Sequence, residues 1–170
     1  VTTWGLMPSE GTTCAGCGVD TYEIPCMETA RQFGQNEAQW SEWDWVVYTE
    51  CYGEREDFSM AQRVADDGLD YYPRSEALIN LKGLNEIRSG HFDAAQTTLD
   101  AGLRTVRPST GTMENNLAWA ILWTNSRQDE FGLNRARSLY QSALVKDPNS
   151  CELLHTGLMV EYASANIFRH

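Results

Sequence analysis

Laid against itself at an offset of 34 residues, the middle of the chain repeats the kind of residue it carries, if not the identity. Phe58 meets Phe92, Ala61 meets Ala95, Ala65 meets Leu99, Gly68 meets Gly102 and Leu69 meets Leu103. Glu56 meets Gly90, and Pro73 meets Arg107 with Pro108 one step later. The phrases DDGLDYYP (66–73) and DAGLRTVRP (100–108) are the clearest copies. Further on, RARSLYQSALVKDP brings Ala136, Tyr140, Ala143 and Pro148 at matching spacings, and NNLAWA (115–120) reads as the helix before it. After Pro148, SCELLHTGLMVEYASANIF reads as one more amphipathic helix. A fixed period of this length marks stacked helical units, each too small to bury its apolar face alone. The pattern predicts helix pairs over about 42–74, 76–108 and 111–148, and a closing helix over 150–168. The competing expectation is a helical bundle without repetition.

In its pattern the chain resembles the tetratricopeptide repeat family. That family places a bulky residue on the first helix, small residues where helices cross, an aromatic residue at the start of the second helix and Pro after it. The first unit supplies Trp45, Phe58, Ala61, Gly68 and Pro73. The second supplies Gly83, Phe92, Ala95 and Gly102, and the third Leu117, Ala118, Ala136 and Ala143. Two positions depart from the pattern: Thr49 stands where a small residue is usual, and Lys82 occupies a first-helix site in the second unit. Ala118 to Ala136 is also about six residues longer than the family spacing, which predicts extra residues around SRQDEFG (126–132). The resemblance implies an all-α fold, a right-handed α-solenoid of antiparallel helix pairs, preceded by an irregular arm over 1–36.

It also implies a groove lined by the first helices. Carried over position by position, the groove residues are Trp43, Val46 and Glu50, then Asn80, Leu84 and Ile87, then Asn115, Trp119, Leu122 and Trp123. Some relatives hold a chaperone's terminal carboxylate with Lys, Arg and Asn at such places; Val46 and Glu50 stand at two of them and disfavour that partner. An apolar groove instead suits a hydrophobic peptide, a helix or another subunit, because burying one aromatic side chain contributes on the order of 2–3 kcal/mol. The alternative is that the chain's own N-terminal arm covers these tryptophans.

Charge narrows the partners further. The chain carries 24 acids and 13 bases, a net charge of −11. Phosphate contacts need clustered cations, so a nucleic-acid partner is disfavoured, as is docking on anionic lipid. No apolar run is long enough to span a membrane.

The five cysteines are Cys14, Cys17, Cys26, Cys51 and Cys151. The first four fall on or near the arm and suit either two disulfides pinning it to the array or a structural Zn site built on CAGCG (14–18). A redox-active pair at Cys14 and Cys17 is a weaker third reading, since the usual flanking Trp is missing. The odd count leaves one sulfur for another chain or a free thiol. With the chain opening at Val1, the disulfide reading points to a secreted or periplasmic protein; a cytoplasmic one stays open.

No phosphate loop, nucleophile elbow, HExxH or dinucleotide fingerprint occurs. The expectation is therefore a non-enzymatic scaffold without a resident cofactor, structural Zn aside, that binds a protein partner through a Trp-lined groove. The alternative is a subunit of an extracellular polymer, stacking end to end through Trp40, Trp43 and Trp45.

Overall fold

The computed structural model describes residues 37–124 and 130–167. Within them the protein is all-helical, with a short 3₁₀ turn at Glu37–Gln39 and seven α-helices. These are α1 (Glu42–Glu54), α2 (Phe58–Tyr71), α3 (Glu76–Arg88), α4 (Phe92–Thr105), α5 (Thr112–Trp123), α6 (Glu130–Lys146) and α7 (Cys151–Ile167). Each packs on the next in chain order, and α1, α3, α5 and α7 also pack on one another as a row.

Local chemistry sets the helix starts. The Ser41 hydroxyl accepts from the Asp44 amide while the Asp44 carboxylate accepts from the Ser41 amide, closing a capping box ahead of α1. Asp57 and Ser75 cap α2 and α3 in the same sense, accepting from the amides of Met60 and Leu78. Between α1 and α2 the chain turns at Glu56 with φ 61°; between α3 and α4 it turns at Gly90 with φ 81°. These two left-handed residues are 34 apart, so the period seen in side chains is also a period in backbone conformation. The first turn uses a glutamate where the second uses glycine, and a Cβ in that region is strained.

Glycine has a different task at Gly68 and Gly102. A Cβ at Gly68 would lie 3.0 Å from Trp45 on α1 and 3.0 Å from Leu78 on α3. A Cβ at Gly102 would lie 2.5 Å from Ile79 on α3 and 2.9 Å from the Met113 sulfur on α5. In both units a second-row helix wedges its bare backbone between two first-row helices. Ala61 and Ala95 serve α2 and α4 likewise, and each is wholly buried.

Two apolar cores result. The smaller, at the amino-terminal end, joins Trp40, Trp45, Val46, Val64 and Leu78. The larger runs from α3 to α7 around Leu99, Met113, Leu117, Ile121 and Val160. Helix α5 is the most enclosed, with α3, α4, α6 and α7 packed about it. Its amino-terminal end is tied to α6 by the Lys146 ammonium, which donates to the Glu114 carboxylate and, at 2.7 Å, to the Ser109 hydroxyl. Burial, the largest single influence, raises the Glu114 carboxyl; the hydrogen bonds from Lys146, Ser109 and its own amide together outweigh it and leave the group below its ordinary value.

The expected extra residues of the third unit divide between two places. α6 begins at Glu130 and runs 17 residues, where α2 and α4 run 14 each. The rest fall between Trp123 and Glu130, where residues 125–129 lie outside the described ones. The arm over 1–36 lies outside them as well.

Two changes test the periodic packing by thermal and denaturant unfolding. Gly102→Val is expected to cost about 2 kcal/mol by overpacking against Ile79 and Met113. Glu56→Gly is expected to stabilise by about 0.5–1 kcal/mol, and Gly90→Ala to destabilise by about 1–2 kcal/mol, since only glycine meets a left-handed turn without strain.

Candidate functional site

The groove residues read from the sequence divide into two sets. Val46, Ile87, Asn115 and Leu122 are core, each less than a tenth exposed. Trp43 and Glu50 are exposed, and Asn80, Leu84, Trp119 and Trp123 are half-buried. The division follows from packing: a first-row helix is flanked by others of its row, so residues at the margin of its outward face are swallowed by the neighbour. Asn115 shows this directly, since the Thr156 hydroxyl of α7 donates to its side-chain oxygen at 2.7 Å within the buried interior.

What stays at the surface is continuous from α3 to α7. The Asn116 amide donates to the Asn80 oxygen at 2.9 Å, holding α5 to α3. Trp119 and Trp123, one turn apart on α5, meet edge to face with centroids 5.9 Å apart. Trp123 stacks on Phe92 of α4 at 6.1 Å, beside an open depression of about 390 Å³ that His91 and Thr124 also line. On the other side Trp119 lies against the His155 ring of α7 at 5.4 Å. His155 itself is exposed.

Of the tryptophans expected at an end-to-end junction, only Trp43 is outward, at 67% exposure; Trp40 and Trp45 belong to the smaller core. The sequence assigned no role to Leu154, Leu158 and Tyr162, which are 52%, 70% and 69% exposed on α7. Their spacing of four was the available signal. It passed as ordinary amphipathicity because nothing in the sequence says which side of a last helix is covered.

The row is acidic. It carries nine carboxylates, four on α1, two on α3, one on α5 and two on α7, against two cations, Lys82 and Arg88. Both cations are engaged, Lys82 with Asp66 and Arg88 with Glu54 at 3.0 Å. Glu86 is buried on α3, with one oxygen accepting from the Thr98 hydroxyl at 3.1 Å and the other without a protein partner. Burial pushes its carboxyl above the ordinary value; the Thr98 hydroxyl and the Lys82 charge pull against that rise.

Cys51 is buried on α1 and is disulfide-bonded. Cys14, Cys17 and Cys26 lie outside the described residues. Among the described residues no three His, Cys, Asp or Glu side chains are grouped as metal ligands, and no helix is long and apolar enough to cross a membrane. Compared with known proteins, the chain matches no family model and no curated relative.

The Glu86 environment gives a signed pH dependence. A carboxyl whose folded value lies above its unfolded one binds more protons folded than unfolded, so its charge opposes folding above that window and the opposition fades as pH falls through it. Glu86→Gln is expected to raise Tm by about 2–4 °C at pH 7, with the gain shrinking toward pH 4, in thermal scans of both proteins across that range.

Proposed function

We propose that this chain is a tetratricopeptide-like scaffold with no catalytic role, and that it holds a protein partner along the face formed by α1, α3, α5 and α7. The observation that carries this reading is the run of half-buried and exposed apolar side chains, Leu84, Trp119 and Trp123 with the α7 residues beyond them, on one side of a row of packed helices. First-row helices pack on one another more extensively than second-row helices do, which favours an array curved toward this face. Aromatic side chains set in a half-buried ring of neighbours are the usual anchors of protein interfaces.

Partner binding is preferred to end-to-end polymerisation on charge. α1 carries four carboxylates and α7 two, with no Lys or Arg on either helix; Glu54 and Glu161 are paired with Arg88 and Arg137, and the other four would set acid against acid at stacked ends. For the arm, disulfide pinning is preferred to structural Zn, because the disulfide at Cys51 leaves no thiolate there to bind a metal. Disulfides persist outside the cytosol, which supports a secreted or periplasmic setting.

Selection of a random peptide display library on the purified protein tests the scaffold reading. Enriched peptides are expected to shift the tryptophan emission on titration and to bind at least tenfold more weakly to a Trp119→Ala, Trp123→Ala double variant, about 1.4 kcal/mol or more. Enrichment of no peptide, or peptides indifferent to the two substitutions, would count against it.

A further inference from the structure

We infer that the docking face continues onto α7 and that its partner is a basic segment carrying apolar side chains. This deepens the scaffold reading and rests on it. Leu154, Leu158 and Tyr162 stand one turn apart along α7 and are all more than half exposed. At 1.5 Å of rise per residue they form a line about 12 Å long. The opposite side of α7 is the packed one: Leu153, Thr156, Val160 and Ser164 are buried. By helix geometry His155 shares the side of α7 that bears Leu158 and Tyr162, and its ring lies 5.4 Å from that of Trp119 on α5. Scattered single leucines are ordinary on a protein surface; three large apolar side chains in line on one helix, each more than half exposed, are not.

Charge complementarity decides what covers it. The row that bears this surface has nine carboxylates, of which Glu54 pairs with Arg88 of the row and Glu114 and Glu161 pair with Lys146 and Arg137 of α6; the other six make no ion pair among the described residues, and Lys82, the row's other base, is engaged by Asp66. Glu50 and Glu152 are exposed on α1 and α7, at the two ends of the row. A second copy of this chain would bring the same acidic row against itself. An acidic or neutral peptide would gain only the apolar term. A segment with Leu-, Ile- or Phe-type side chains and flanking Lys or Arg satisfies both the line and the field around it.

The test is the same peptide selection, run on the wild type and on a Leu158→Ser, Tyr162→Ser variant, with Val145→Ser on α6 as an exposed apolar control away from the row. Circular dichroism and Tm establish that each variant folds. Enriched peptides are expected to combine apolar residues with an excess of Lys and Arg. They should weaken about tenfold or more on the α7 variant, remain unchanged on the control, and weaken further between 50 and 500 mM salt. Peptides that enrich without excess base, or that bind the α7 variant as well as the wild type, would overturn this inference and leave the scaffold reading standing. No enrichment on any protein would overturn both. Concentration-dependent dimerisation in light scattering that Leu158→Ser, Tyr162→Ser abolishes would replace the basic partner by a second copy.

Discussion

The architecture depends on a few places where helices come closer than side chains ordinarily allow. Gly68 and Gly102 lack the atom that would otherwise collide with Trp45 and Leu78 in one unit and with Ile79 and Met113 in the next. Each contact involves three helices at once, so it fixes the distance from a second-row helix to both of its neighbours. Everything else is built at that spacing: the alanines at the crossings, the large side chains that fill the gaps, and the polar links along the first row.

Those polar links are differently made at each step. Glu54 and Arg88 join α1 to α3 as an exposed ion pair, Asn80 and Asn116 join α3 to α5 through amides, and Thr156 and Asn115 join α5 to α7 inside the core. An exposed ion pair contributes little in water, whereas a satisfied buried hydrogen bond is costly to break. The three links therefore differ in kind along the row: an exposed charge pair, a half-buried amide pair and a buried hydroxyl.

Much of this organisation could be read before any coordinates. The 34-residue offset pairs Gly68 with Gly102, and both sit at three-helix contacts; it pairs Glu56 with Gly90, and both turn the chain in the left-handed region. Small residues and breakers reveal themselves in a sequence because so few residue types meet those geometric demands. Surface assignment was less legible. Val46, Ile87, Asn115 and Leu122 occupy positions that point outward in an isolated helix, yet flanking helices enclose them. Trp40 and Trp45 are interior while Trp43 is not, a distinction set by the Tyr48 and Tyr71 rings that pack around the first two. The α7 line was missed for the converse reason: amphipathic spacing alone is silent on which side of a helix its neighbours leave uncovered. The repeat family remains a resemblance in pattern.

Helix α3 is where the two cores meet: Leu78 faces the smaller one, while Ile79 and Ile87 belong to the larger. A shared wall of this kind gives the molecule a graded loss of structure rather than a single collapse. Opening α1 and α2 strips one side of α3 and leaves the other seated against α4 and α5, so the amino-terminal pair can detach as a unit while the remaining helices stay packed.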